Sequence, residues 1–254
     1  INPLGSSYKG YAGIVKNDYQ EPLTTHSDHY KTNYAYGTNA YSKGSILLHQ
    51  LSYVIGKDNL EKGMLIYFDT WKFKHPNPTR FKRIMEDVSG LELDWYFEHF
   101  VGTTNSIDYS IAQVKEEKGN TIITLERIGD MPMPIDLVVK MKDGTTKNFS
   151  IPLEIMRGNK GNDWYKKLTT LPDWKWVNPY YSFQTNIKLD DIESIVIDPS
   201  TRMADIEMSN NVYPRKQADA ASKAKNTKTK KELKAELKAM KKEMKKKIKA
   251  APKK

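Results

Sequence analysis

The chain of 254 residues contains no cysteine, which excludes disulfides and thiolate metal sites. The same absence selects no compartment, because many bacterial envelope proteins also lack cysteine. No run of about 18 apolar residues occurs, so the sequence predicts no membrane-spanning helix. The chain opens at Ile1 without a charged and then apolar leader pattern, so we expect any export signal to lie upstream.

Positive charge is concentrated at one end of the chain. The formal net charge is +10, but residues 215–254 hold 17 Lys or Arg and 4 Asp or Glu, whereas the preceding residues hold 24 and 27. No aromatic residue follows Tyr213, so this tail offers no platform for stacking bases. We therefore expect no specific nucleic-acid binding, and at most a weak contact of the tail with polyanions or a membrane surface.

The composition of the tail predicts a linker over residues 215–229 and then a Lys-rich amphipathic helix. Its apolar stripe consists of Leu233, Leu237, Met240, Met244 and Ile248. Lysines repeat at three- and four-residue spacing, so we expect this helix to be marginal on its own.

Apolar residues between positions 34 and 101 follow the three-four spacing of helices. The first predicted helix carries Leu47, Leu48, Leu51, Val54 and Ile55 on one face. Gly56 is expected to end it, and Asp58 with Glu61 is expected to cap the next helix. That second helix carries Leu60, Met64, Leu65, Phe68 and Trp71.

Two further helices and a change of period complete the folded part. One helix is predicted to begin at Asn77-Pro78 and end at Gly90, and a short helix follows with Trp95, Tyr96, Phe97 and Phe100. After Gly102 the apolar period becomes two, which is typical of strands. The predicted strands cover residues 108–114, 121–128, 135–141, 147–155 and 192–197. Turns at Lys118-Gly119-Asn120 and Asp143-Gly144 favour antiparallel hairpins.

Three segments carry a family resemblance. Residues 36–48 read Tyr-Gly-Thr-Asn-Ala-Tyr-Ser-Lys-Gly-Ser-Ile-Leu-Leu, residues 71–78 read Trp-Lys-Phe-Lys-His-Pro-Asn-Pro, and residues 93–97 read Leu-Asp-Trp-Tyr-Phe. In this order and spacing they resemble bacterial aminopeptidase N-like zinc metallopeptidases, the gluzincin aminopeptidases, in which a Tyr-x-Lys-Gly stretch follows the zinc site. Residues 205–211 also resemble the end of that family's β-sandwich, so the resemblance covers about residues 20–211.

The resemblance implies an α+β multidomain fold. Residues 1–104 would form the helical second half of a thermolysin-like catalytic domain, residues 106–211 an antiparallel β-sandwich, and residues 215–254 the basic linker and helical tail. The implied activity is hydrolysis of N-terminal residues from peptides. The implied partners are peptide substrates and the missing N-terminal half of the enzyme, and a periplasmic or cell-envelope location is expected.

The family's zinc motif is absent from this chain. Hydrolysis at zinc needs a metal-activated water, a carboxylate base and a donor to the developing oxyanion. The family takes its ligands and base from His-Glu-x-x-His and a downstream Glu, which the histidines at 26, 29, 49, 75 and 99 never form. We therefore expect zinc in the full-length enzyme to have its ligands outside this chain, and the chain alone to be inactive. The alternative is a non-catalytic scaffold or binding fragment of the family.

The resemblance assigns Tyr41 to the position of the family's oxyanion-stabilising tyrosine, since a protonated phenol can donate to the gem-diolate oxygen. Spacing alone leaves a second interpretation, in which Tyr41 only packs or caps a helix. Tyr36 is predicted to line the same substrate cleft, with a structural loop aromatic as the alternative. For Lys43 and Gly44 we expect structural roles, namely a solvated or locally paired charge and close helix packing.

Two other groups invite a functional interpretation. His26 and His29 form a His-x-x-His pair, but their polar surroundings favour a loop over a metal site. An aromatic set in the β-region suggests a carbohydrate or peptide platform, or more simply a seal between the sandwich and the helical region. This set consists of Trp174, Trp176, Tyr180 and Tyr181.

Overall fold

The computed structural model describes residues 3–160 and 167–215. The predictions for the linker and the Lys-rich helix therefore concern residues outside the described part. Within it the chain is α+β, because helices extend as far as Gly102 and strands form two sheets from Tyr109 onward. No described helix is both long and apolar enough to cross a membrane.

The helices of the described residues begin earlier than the sequence predicts. They are α1 (Gly5–Lys16), α2 (Asn33–Gly37), α3 (Gly44–Ile55), α4 (Lys57–Trp71), α5 (Pro78–Ser89) and α6 (Asp94–Gly102), with a π-helical segment (Thr38–Lys43) joining α2 to α3. The helix α1 was not predicted, since its sequence contains three glycines, which disfavour helix. Tertiary packing compensates, because α1 buries Tyr11 and Ile14.

Most helix ends lie where the capping signals in the sequence predict them. Gly56 has a φ of 89° after α3, and Gly90 has a φ of 68° after α5. At the start of α5, the side chain of Asn77 accepts a hydrogen bond from Arg80 N at 3.1 Å. The predicted cap of α4 is wrong: this helix begins at Lys57 directly after Gly56, which places Asp58 inside its first turn with no side-chain cap.

The helix α4 leaves several of its large apolar residues exposed and packs on α5 partly through a glycine. Leu65 and Phe68 are 70% and 65% exposed, and Gly63 is the buried residue of this helix. A Cβ at Gly63 would lie 2.6 Å from Met85 Sδ on α5. A larger residue at this position would therefore require the end of the Met85 side chain to move.

The strands form a three-stranded sheet in the order β1-β2-β6 and a five-stranded sheet in the order β5-β4-β3-β7-β8. Their bounds are β1 (Tyr109–Glu117), β2 (Asn120–Arg127), β3 (Ile135–Met141), β4 (Thr146–Ile151), β5 (Leu168–Thr170), β6 (Tyr180–Thr185), β7 (Ile192–Ile197) and β8 (Val212–Tyr213). Lys118 and Gly119 both have positive φ between β1 and β2, as a two-residue hairpin turn requires.

The antiparallel arrangement predicted for this region holds for the hairpins but not throughout. The short strand β5 pairs with β4 in parallel, with Asn148 opposite Leu168. A ring contact of 5.3 Å between Phe149 and Phe183 joins the two sheets, and both sheets contribute to one hydrophobic core together with the helices.

Residues 198–206 follow β7 and lie against the helices. Arg202 Nη1 donates to Ser52 O at 2.9 Å, and Ala204 N donates to the side chain of Gln50 at 2.7 Å. Asp205 accepts from Tyr109 N at 2.9 Å. This segment therefore connects α3 to the start of β1.

Candidate functional site

Tyr41 lies on the π-helical segment Thr38–Lys43. π-Helical turns are rare and often occur at functional sites. The preceding helix α2 is fixed at its start, because Thr32 Oγ1 accepts a hydrogen bond from Ala35 N at 3.0 Å. Nothing in the sequence pattern distinguished this wider helical turn from the α-helices on either side of it.

The phenol of Tyr41 points away from the protein interior. Tyr41 is 75% exposed, and its hydroxyl makes no hydrogen bond to any residue of 3–160 or 167–215. This exposure leaves Tyr41 little packing to provide for the helix. The hydroxyl is consequently available to a ligand at the surface.

The opposite face of the π-helical segment is polar and buried. Asn39 and Lys43 are both fully buried, and the side-chain nitrogen of Asn39 donates to Ala35 O at 2.9 Å. The side-chain oxygen of Asn39 has no partner within the described part of the chain. The segment thus directs two polar side chains inward and Tyr41 outward.

Lys43 is neither solvated nor ion-paired, so the expectation for this residue is wrong. Its Nζ donates to Thr103 O at 3.3 Å and lies 5.1 Å from the ring centroid of Phe100. When the Gln20 amide is turned to satisfy both of its neighbours, Nζ also donates to the side-chain oxygen of Gln20 at 3.0 Å. No carboxylate of the described residues lies within ion-pair distance. Burial lowers the pKa of the Lys43 ammonium to about 7.

Gly44 also differs from its expected role. A Cβ at this position would have its nearest contact at 3.9 Å, with Asn39 O, which is an ordinary van der Waals distance. Close helix packing therefore does not require glycine here.

Tyr36 occupies the turn before Tyr41 and is 37% exposed. Its ring lies 5.5 Å from that of Tyr30 in an edge-to-face contact, and the Tyr30 hydroxyl donates to Pro22 O at 3.2 Å. The neighbouring Tyr34 is 56% exposed. Tyr36 and Tyr41 are both accessible on consecutive helical segments, and the described contacts do not join their rings.

The unpredicted helix α1 supports the segment that carries Tyr41. A Cβ at Gly10 would lie 3.5 Å from Ser42 Oγ, so α1 and the π-helical segment lie side by side. The Tyr8 hydroxyl contacts His49 Nδ1 at 3.1 Å and donates to Arg202 O. The sequence signal for this helix was the spacing of Tyr8, Tyr11 and Ile14, which the glycines obscured.

The described residues do not contain a histidine-based zinc site. His26 and His29 flank a short turn, as expected of a loop, with ring centroids 5.4 Å apart, and His26 Nδ1 accepts from Asp28 N within the turn. In the described part of the chain, the group of three possible ligands is Glu86, Glu92 and Asp94. These are carboxylates alone, so they do not fit the family's histidine and glutamate set.

The aromatic residues of the β-region divide into buried and exposed members. Trp174 is buried, with ring contacts to Tyr109 at 5.5 Å and Tyr181 at 5.3 Å. Trp176 and Tyr180 are 43% and 54% exposed. The predicted seal against the helical region is therefore wrong for these two, and Trp174 packs between strands instead.

The helical part of the chain is consistent with part of a peptidase domain. Residues 14–100 match the model of the peptidase family M1 domain. This match supports an M1-family peptidase fragment in the part that contains Tyr36, Tyr41 and Lys43, and it indicates a peptidase-related function. M1 peptidases are metallopeptidases that use zinc. No curated protein matches the chain.

Proposed function

We propose that this chain is the C-terminal segment of a zinc aminopeptidase, to which it supplies the oxyanion-stabilising Tyr41. The observation that carries the proposal is an exposed phenol on a π-helical turn inside the family match, with no hydrogen bond to any residue that the structure describes. A zinc ion, with ligands outside this chain, would supply the activated water. Peptides would be the substrates, and Tyr36 would line their cleft.

The role of Tyr41 follows from the charge that develops on the attacked carbonyl. Addition of water turns the carbonyl oxygen into an oxyanion, and a positioned hydroxyl donor stabilises this charge more than it stabilises the substrate. Tyr41 has an uncommitted hydroxyl, so it loses no internal hydrogen bond when it donates to the oxyanion. Removing one such donor from an acyl-transfer site typically lowers the rate about 100- to 1,000-fold.

The test is Tyr41→Phe in a protein that joins this chain to the sequence encoded upstream of it. We expect kcat for an aminoacyl chromogenic substrate to fall about 100-fold or more, because phenylalanine keeps the ring and removes the donor. Zinc content and melting temperature should remain unchanged. Tyr34→Phe is the matched control, since Tyr34 is also exposed and lies on the adjacent helix; its turnover should be normal.

Two results would contradict the proposal. Normal turnover in Tyr41→Phe would remove this residue from the mechanism. Absence of His-Glu-x-x-His from the upstream coding region would favour the alternative function, a scaffold or binding fragment with a vestigial tyrosine.

A further inference from the structure

Lys43 is a buried cation that the proposed chemistry does not use. It is fully buried, and it lies two residues after Tyr41 at the end of the π-helical segment. Removing an ammonium from water costs several kcal/mol unless good partners replace the water. A methionine would fill a similar volume without that cost, so burial of the ammonium is costly unless its contacts offset the loss of water.

The partners of Lys43 come from two separate parts of the chain. Thr103 O, at 3.3 Å, immediately follows α6, where carbonyl groups lack helical partners and a cation is favoured. With its amide turned in the same way, the side chain of Gln20 accepts from the ammonium at 3.0 Å and donates to Thr104 O at 3.3 Å. Lys43 therefore ties the π-helical segment to the end of α6 and to the loop after α1.

These hydrogen bonds of Lys43 restrict the movement of the backbone that carries Tyr41. Asn39 secures the start of the same segment to α2 through Ala35 O, and Lys43 secures its end. Among the described residues the Tyr41 hydroxyl has no hydrogen bond that would fix it, so its position depends on the backbone of the segment. Displacing a catalytic group by about 1 Å can cost about 100-fold in rate.

We propose that Lys43 is a positioning residue, whose buried ammonium holds the π-helical segment so that the Tyr41 hydroxyl meets the developing oxyanion. This inference rests on the proposed function of Tyr41. It adds that the lysine of the Tyr-x-Lys-Gly stretch acts from inside the protein, through the tyrosine, without touching the substrate.

The experiment is a double-mutant cycle in the full-length enzyme with the variants Lys43→Met, Tyr41→Phe and both together. We expect Lys43→Met to lower kcat about 10- to 100-fold with KM and zinc content unchanged. In the Tyr41→Phe background the same substitution should change kcat less than about twofold, because the hydroxyl it positions is already gone. Lys62→Met, at an exposed lysine of α4, is the matched control and should leave kcat unchanged.

A general structural role gives a different result. If Lys43→Met lowers kcat by the same factor in both backgrounds, or leaves it within about twofold of the wild type, the inference is wrong while the role of Tyr41 stands. If Tyr41→Phe alone has normal turnover, the proposed function and this inference both fall. Should Lys43→Met not fold, Gln20→Leu removes one acceptor and keeps the lysine. It should show the same loss of kcat and the same non-additivity with Tyr41→Phe, and additive losses would overturn the inference.

Discussion

Replacing Lys160 by methionine should be among the most destabilising single changes in the described part of the chain. Lys160 Nζ lies 2.5 Å from Asp136 Oδ2, and the two side chains are 4% and 7% exposed. The ammonium also donates to Tyr53 O at 2.8 Å and lies 3.8 Å from the Tyr53 ring centroid. This single cation thus joins β3 to α3.

The expected cost follows from the charge that remains. After Lys160→Met, Asp136 keeps a hydrogen bond from Ser150 Oγ at 3.1 Å but loses its counter-ion in the interior. Breaking a buried pair in this way costs about 3–5 kcal/mol. For a folded unit of this size, that corresponds to a fall in melting temperature of about 6–20 °C.

Thermal and urea unfolding followed by circular dichroism would measure this loss. Lys140→Met is the matched control, because Lys140 lies on the same strand as Asp136. It pairs with Glu193 at 2.8 Å, and both of these side chains are 47% exposed. That change should cost at most about 1 kcal/mol. Adding Asp136→Asn to Lys160→Met should recover part of the loss, since it removes the uncompensated charge. Equal small losses for the two lysines would refute the reasoning.

Two other predictions concern the stability of the same folded unit. Burial raises the pKa of Asp198 to about 7 and of Asp205 to about 6, so the native state binds more protons than the unfolded state above the ordinary value of 3.8. Their contribution to the free energy of unfolding is complete below about pH 4 and is lost as the pH rises through 6 and 7. Urea unfolding between pH 5 and 8 should therefore show a weaker pH dependence of stability in Asp198→Asn than in the wild type. An identical pH dependence in the two proteins would contradict this prediction. Gly44→Ala should stabilise the chain by about 0.5–1 kcal/mol, because the added methyl meets only ordinary contacts. Gly63→Ala should destabilise it by about 1–3 kcal/mol, because the methyl overlaps a buried methionine; melting temperatures that moved in the same direction would exclude this packing account.

Elements defined by local chemistry were predictable. Asn77 and Gly90 mark the ends of α5 because a side-chain cap and a positive φ are requirements of the chain itself. The turn at Lys118 and Gly119 similarly follows from the backbone twist of a two-residue hairpin. Each signal lies within a few residues of the feature that it determines.

Features that depend on distant contacts were not predictable. The helix α1 contains glycines that disfavour it, and it is stabilised by packing on residues far along the chain. The apolar residues of α4 suggested a buried face, yet Leu65 and Phe68 are exposed and Gly63 makes the contact with α5. The parallel pairing of β5 rests on three residues, too few to show a periodic pattern.

For the candidate site, the sequence motif predicted which residues to consider, but it did not predict their burial or the conformation of their backbone. The resemblance identified Tyr41, and its role remains a prediction. The burial of Lys43 could not be predicted, since an isolated lysine in a polar motif is usually solvated. The π-helical turn that directs the two side chains to opposite faces leaves no recognised mark in the sequence.

The late segment at residues 198–206 has a consequence for how the chain reaches its native state. Its bonds from Arg202 to Ser52 and from Ala204 to Gln50 span 150 and 154 residues. During synthesis, α3 is complete long before these partners leave the ribosome. Ser52 O and the side chain of Gln50 therefore remain hydrated until nearly the whole folded unit has been made. Contacts of such long sequence separation slow folding, so refolding of this protein should be rate-limited by the docking of this segment.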